Sequence, residues 1–233
     1  MRQPSGIGVL DKAMAVLHAV AEHPSGLNEL VARTGLPRAT AHRLAVGLEA
    51  HRLLARDNNG VWRPGPALGE LAISANDSLL DAAAAVLPRL REITGESVQL
   101  YRRDGNARIC VAALEPPVGL RDTVPIGARL PLTAGSAAKI LLAWADSDLQ
   151  HAVIADAVFG ERALAEVRKR GWAQSAAERA AGVASVSAPV RSAAGHVVAA
   201  VSVSGPIDRM GRRPGARWAA DLVAAAEALH KRL

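Results

Sequence analysis

Near the start of the chain the apolar residues recur at intervals of three and four. Val9, Leu10, Ala13, Val16, Leu17 and Val20 share one side of a helix that begins at Gly8 and stops before His23-Pro24-Ser25-Gly26. LNELVARTG predicts a second, shorter helix with Leu27, Leu30 and Val31 on one face and Gly35 as its left-handed stop. Leu36-Pro37 opens a third, because proline in a first turn forfeits no helical hydrogen bond. There Ala41, Leu44, Ala45 and Leu48 face inward, which turns Arg38, Thr40, His42, Arg43 and Gly47 outward. Beyond His51 the runs LLARD and VWRPG flank Asn58-Asn59-Gly60, a strong hairpin signal. Two short helices joined by a glycine turn and followed by a hairpin make a winged helix-turn-helix over residues 1–65.

Pro64-Gly65-Pro66 punctuates the chain, and a linker helix is predicted over 66–76. Residues 77–233 then form a second domain. It opens with a longer amphipathic helix whose inward side is Leu80, Ala83, Ala84, Leu87, Leu90 and Ile93. SVQLYRR and ARICVAAL read as strands around Asp104-Gly105-Asn106, and GSAAKILLAWA as a helix opened by Thr133 and Gly135. ALAEVRKRG is a polar-faced helix ended by Gly171, SVSAPVR and HVVAAVSVSG pair around Ala193-Ala194-Gly195, and the last twenty residues are helical. Hairpins in place of βαβ crossovers make the fold class α+β, with a largely antiparallel sheet.

Composition changes this picture little, but charge placement does. The 233 residues are 50% hydrophobic and 21% charged, a globular balance. Of 28 basic residues 24 are Arg and 4 are Lys, with a net charge of +6. Abundant Arg and Ala also follow from a GC-rich genome, so the position of the charge decides more than its sum. Between Arg33 and Arg63 stand Arg33, Arg38, Arg43, Arg52, Arg56 and Arg63 against Glu49 and Asp57 alone, six minus two, a local +4. Planar guanidinium forks suit phosphates and guanine edges, so double-stranded DNA is the expected partner. The second helix of the motif would enter the major groove, with Arg38 and Arg43 on guanine or phosphate and Thr40 and His42 as polar contacts. Ala39 would permit close approach there, and Arg52, Arg56 and Arg63 would meet phosphate or the minor groove beside the wing. The same fold also serves protein contacts, its arginines merely solvated; Arg, Thr and His together on one outward face favour DNA.

Other chemistries find little support. Cys110, the single cysteine, lies in the apolar run RICVAAL, so no intramolecular disulfide forms and an inert buried thiol is expected, in a cytoplasmic protein. Asp11, Lys12, His18 and Glu22 break up the N-terminal apolar residues as no signal peptide allows, and no run approaches the ~20 apolar residues of a spanning helix. The seven His show no HxxxH, CxxC or HxxE spacing, and no carboxylate pair stands at a strand end. Neither a metal, a cofactor nor an enzymatic activity is expected.

The segments GIGVLDKAMAVLHAV, TGLPRATAHRLAVGLEAHRLLARD with its wing, GVASVSAPVR and VVAAVSVSGPI resemble the IclR family of bacterial transcription regulators, and the likeness runs over essentially the whole chain. It implies a ligand-responsive, sequence-specific regulator: a winged helix-turn-helix, a linker helix and a GAF-like effector-binding domain, assembled as homodimers or homotetramers. GESVQLYRR, GLRDTVPIG, RRGWAQS and GVASVSAPVR look like an actinobacterial branch that controls amino-acid metabolism, leucine biosynthesis in particular, so an amino acid or keto acid is the implied effector. In the family, small acids sit at the N-terminus of a helix whose small-residue motif falls here on Gly135, Ser136 and Ala137, with a serine pair on Ser202 and Ser204. The family's acidic position falls on Ser175 and its cysteine on Ser185, which implies a neutral, donor-rich pocket that holds a carboxylate without any large cation. Two rival readings stand beside this one. In the first, residues 77–233 bind or transform a small molecule and the winged helix serves assembly only. In the second, a DNA architectural protein has no ligand, and side chains fill the space between Ser136 and Ser204.

Overall fold

A computed structural model of the chain describes residues 5–74 and 77–233. They fall into two compact units, Met1–Asn76 and Asp77–Leu233. The first contains α1 (Gly8–Glu22), α2 (Leu27–Thr34), α3 (Arg38–Ala50), the hairpin β1 (Leu54–Arg56) and β2 (Trp62–Pro64), and α4 (Pro66–Ser74). Residues 75 and 76 of the predicted linker helix lie outside the described residues. Gly35 ends α2 at φ 67°, in the left-handed region open to glycine. The hairpin turns on Asp57, whose carboxylate accepts from the amides of Asn59 and Val61 at 2.9 and 3.0 Å. Ser25 and Trp62 exchange both backbone hydrogen bonds at 3.0 Å, which seats the hairpin on the helices. Beneath lies a core of Val16, Val20, Leu30, Ala45, Leu54 and Trp62. The predicted stripe of α1 is only half used: Val9 and Leu10 are exposed and burial begins at Val16. At 15 residues α1 is about 22 Å long, more than so small a bundle covers.

The second unit contains α5 (Ser78–Thr94), β3 (Ser97–Asp104), β4 (Ala107–Leu114), β5 (Arg129–Pro131), α6 (Ser136–Ala143), α7 (Ser147–Ile154), α8 (Glu161–Arg170), β6 (Ala173–Ala176), β7 (Val183–Arg191), β8 (Val197–Pro206), α9 (Ile207–Met210) and α10 (Gly215–His230). Its strands make one sheet in the order β5-β4-β3-β8-β7-β6, and every neighbouring pair is antiparallel. The unit is α+β, as the hairpin pattern implies. Period-two alternation sorts the two faces. Val186, Ala188 and Val190 of β7 and Ala199, Val201 and Val203 of β8 pack against α5 and α10. The intervening Ser185, Ser187, Ser202 and Ser204 point to the face covered by α6, where a second core gathers Tyr101, Cys110, Ile140, Leu142, Leu164 and Val167.

The inward side of α5 differs from the predicted one. Leu79, Ala82, Ala83, Val86, Leu87 and Leu90 are buried, whereas Leu80, Ala84 and Ile93 face out. LLDAAAAVL is so uniformly apolar that its period leaves the phase open, and the start of the helix settles it instead. Asp77 caps α5 by accepting from the Leu79 amide at 3.1 Å and binds Arg102 Nη2 at 2.7 Å, an arginine that also holds its carboxyl below the usual range.

Gly65 alone separates β2 from α4, and a methyl group on it would sit 2.2 Å from the Arg52 carbonyl oxygen. Gly65→Ala is therefore expected to destabilise the first unit by about 1–3 kcal/mol, read as a lowered thermal midpoint of the full chain. An unchanged midpoint would show slack at this junction that the geometry denies.

Candidate functional site

The N-terminal turns of α3 present Arg38, Ala39, His42 and Arg43 to solvent, with Thr40 half-buried. Arg38 donates to the Asn28 Oδ1 of α2, and His42 meets the Trp62 ring edge-on with centroids 6.0 Å apart. The wing is more self-contained than its sequence suggests. Arg56 donates to Glu49 Oε2 at 2.8 and 3.2 Å and lies 4.7 Å over Trp62, whose indole N–H donates to the same oxygen at 3.1 Å. These donors, Arg56 first, hold the Glu49 carboxyl below its ordinary range. Arg52 is paired with Glu70 of α4, and Arg33 with Glu22 at 2.9 Å. The local +4 thus overstates the exposed patch, because Glu22 and Glu70 lie outside the window in sequence and beside it in the fold. Arg43 and Arg63 make no hydrogen bond or ion pair among the described residues, and both are exposed. Exposed pairs such as Arg52–Glu70 are worth ~0–1 kcal/mol, so Arg52 can exchange its carboxylate for a phosphate.

In the second unit the strand register builds a ladder of hydroxyls. Ser175 of β6 lies opposite Ser185 of β7, which lies opposite Ser204 of β8; on the next rung Ser187 faces Ser202, and Ser202 faces Gln99. The start of α6 rests on this ladder. Ser136 Oγ is 2.6 Å from Ser185 Oγ and 2.7 Å from Ser187 Oγ, Ser175 Oγ is 2.9 Å from Ser185 Oγ, and Ser187 donates to Ser202 at 2.9 Å. Ser204 donates to Gln99 Oε1 at 3.0 Å. Gly135 caps the helix at φ 97°, where a side chain would be strained. Thr133, expected to help open the helix, is not its cap. The residues Gly135, Ser136, Ala137, Ser175, Ser185, Ser202 and Ser204 all line one cavity. Its open space is about 20 Å³, room for a single water.

The expectation of a neutral pocket is wrong. Tyr101, Arg108, Asp122 and Arg179 complete the walls. Arg179 Nη2 donates to both oxygens of buried Asp122, at 2.6 and 2.5 Å. Ala177 turns the β6–β7 connection at φ 59°, a conformation a non-glycine residue seldom holds. The next residue, Glu178, accepts from the Gly135 amide at 3.1 Å and from the buried Lys139 Nζ. Burial raises the Tyr101 phenol above its ordinary value and lowers the Arg108 guanidinium to about 10, so both keep their protons at neutrality. These charged walls escaped sequence reasoning because Asp122 and Arg179 stand 57 positions apart in loops, where no periodicity marks them. One signal was available: Arg108 shares a strand face with Cys110, an arginine where the pattern asks for an apolar residue. Among the described residues no His, Cys, Asp or Glu cluster could hold a metal, and no helix is long and apolar enough to cross a membrane.

A helix-turn-helix head on the same chain as a small polar cavity defines a class of protein: regulators whose hold on DNA answers to a small molecule. Comparison with known proteins narrows the class. Residues 9–58 match the IclR helix-turn-helix domain and residues 72–231 the C-terminal domain of bacterial IclR transcriptional regulators, so the chain belongs to the IclR family. It is 32% identical over 223 residues to the HTH-type transcriptional regulator BhcR of Paracoccus denitrificans, spanning 88% of this chain and 80% of that one. To the regulator TtgV of Pseudomonas putida it is 34% identical over 194 residues, 77% and 75% of the two chains. Its fold superposes on an IclR homologue of Microbacterium hydrocarbonoxydans, solved with 4-hydroxybenzoate, with a TM-score of 0.84 at 24% identity over 97% of this chain and 98% of that one. The chain is a ligand-responsive transcriptional regulator, and its relatives are regulators, not enzymes.

Cys110 Sγ is fully buried, and burial pushes the thiol up to about 11. At pH 8 only about one molecule in a thousand then carries the reactive thiolate. Ellman's reagent is expected to leave the native chain unlabelled and to titrate one thiol in denaturant; prompt native labelling would show that the sheet opens at β4.

Proposed function

We propose that α3 reads one half of a DNA operator, with Arg38 and Arg43 on guanine edges or phosphates, Thr40 and His42 as polar contacts and Ala39 at the point of close approach. Arg52 and Arg63 hold the backbone beside the wing. The observation that carries this reading is the pair Arg43 and Arg63, exposed and without a partner among the described residues, where Arg33, Arg38, Arg52 and Arg56 have intramolecular partners. A homodimer or homotetramer supplies the second half. Ile7, Leu10 and Met14 recur at three and four on the outer side of α1, and Leu71 of α4 is 61% exposed, an apolar surface for a second copy to bury. Two-fold assembly then spaces two α3 helices about 34 Å apart, one turn of DNA.

The effector site lies at the N-terminus of α6, with Gly135, Ser136, Ala137, Ser175, Ser185, Ser202 and Ser204 as its contacts and an amino acid or keto acid as its occupant. The 4-hydroxybenzoate held by the Microbacterium homologue supports a small organic acid as the class. So small a cavity must widen on binding, and Arg179, on the connection between β6 and β7, is the wall best placed to move. A ligand that prefers the widened state shifts operator affinity by typically 1–3 kcal/mol. Genes of amino-acid metabolism, leucine biosynthesis in particular, are the proposed targets, supported by the stretches GESVQLYRR, GLRDTVPIG and RRGWAQS.

Fluorescence anisotropy with DNA from upstream of the protein's own and neighbouring genes, at two salt concentrations and with competitor present, tests the reading. Saturable binding that survives competitor and weakens steeply with salt supports it; equal affinity for every fragment refutes it. In the same assay Arg43→Ala is expected to weaken specific binding by ~1–3 kcal/mol, and Arg63→Ala to reduce the salt slope by about one. An Arg43→Ala titration that overlays the parent removes Arg43 from the interface.

A further inference from the structure

Three cations stand at the cavity or its rim, and two of them have a carboxylate. Arg179 holds Asp122 through both oxygens, and Lys139 holds Glu178. Arg108 has none. The residue is only 3% exposed, its Nη1 donates to the backbone carbonyls of Pro131 and Ala134, and its Nε has no hydrogen-bond partner among the described residues. Nη2 lies against the cap of α6, where a methyl group on Gly135 would sit 3.3 Å away. A buried cation without a counter-ion is unfavourable, and one beside the positive end of a helix more so. Asp122 attracts it from nearby, yet both oxygens of that carboxylate are already bonded to Arg179. Glu178 already answers the end of the helix by accepting from the Gly135 amide at 3.1 Å, so the charge that an entering anion would relieve is that of Arg108.

The geometry points to Arg108 as the residue that sets the charge of the effector: a small organic monoanion, its carboxylate between the Arg108 guanidinium and the first amides of α6 and its remainder along the serine ladder. This rests on the effector site proposed above. The same balance disfavours a zwitterion, because its ammonium group adds a cation beside Arg108 and Arg179 while Asp122 and Glu178 already answer Arg179 and Lys139. Of the two classes proposed for the occupant, the 2-oxo acid fits this charge balance better than the amino acid. A neutral amide could accept from the guanidinium but would leave its charge without a counter-ion.

Calorimetric titration of the full-length protein separates these cases. The probes are 4-methyl-2-oxopentanoate and 4-hydroxybenzoate, each beside its primary amide, together with leucine. In the parent the acids are expected to bind about tenfold to a hundredfold more tightly than their amides or leucine. Arg108→Gln is expected to bring acid and amide within about threefold of each other, with its fold checked by circular dichroism, and Arg108→Lys to keep part of the preference. Amides or leucine that match the acids in the parent overturn the inference whether or not a variant folds, and leave the pocket standing. An acid-to-amide ratio that Arg108→Gln does not change overturns it equally. If no acid and no amide binds, the effector site itself is misplaced, and this inference falls with it.

Discussion

Alternation along β7 and β8 makes one pair of strands serve a hydrophobic core and a polar cavity together. Val186, Val201 and Val203 point to α5 and α10, and the serines between them point to α6. A slip of one residue would bury four hydroxyls in the apolar layer and set valines beneath the helix, so the register is strongly specified. Small side chains are equally required on the polar face. They let α6 approach until Ser136 touches two serines of β7, and every residue of that helix from Ser136 to Ala143 is buried. The start of the helix, Gly135 to Ala137, is therefore held in place by the sheet at the wall of the cavity.

Arginine serves more than one purpose in this molecule, so a net charge of +6 does not by itself mark where the surface meets an anion. Some guanidinium groups close ion pairs, as in Arg52–Glu70, Arg56–Glu49, Arg179–Asp122 and Arg209–Glu96. Others lie over aromatic rings: each of the four tryptophans has an arginine 4.0 to 4.7 Å from a ring centroid, Trp62 under Arg56, Trp144 under Arg191, Trp172 under Arg170 and Trp218 under Arg217. Still others, among them Arg43 of α3 and Arg63 of the wing, have no ion-pair partner among the described residues. The surface acts on anions by position more than by total charge.

The parts of the fold governed by local chemistry were legible in the sequence. Gly35 stops α2, Gly60 helps to fold the wing, and glycines 105 and 195 turn the two long hairpins, each at a positive φ that the residue type announces. The serines of the cavity were reached through family resemblance and strand alternation together. What stayed hidden depends on contacts between distant segments. The phase of α5 is set by Asp77 meeting Arg102, and the wing loses charge to Glu70 from 18 positions away. The pocket gains its ion pair from two loops. The three-residue β5 and four-residue β6 are too short to show a period, and they follow from the strands they pair with.

The junction at Gly65 has a mechanical consequence. The Gly65 amide donates to the Leu53 carbonyl at 2.9 Å, the Ala67 amide donates to Arg52 at 3.1 Å, and Arg52, itself at φ 59°, reaches across to Glu70. Wing and linker helix are thus riveted at both the backbone and the side-chain level, with no loop in which rotation could be lost. From Gly65 to the turn at Asn59 is six residues of extended chain, an arm of roughly 20 Å. A roll of α4 by about 10° then carries the wing tip ~3 Å, the length of a hydrogen bond to a phosphate. A lever of that kind turns a twist of α4 too small to disturb any core into a shift at the wing tip as long as a single contact.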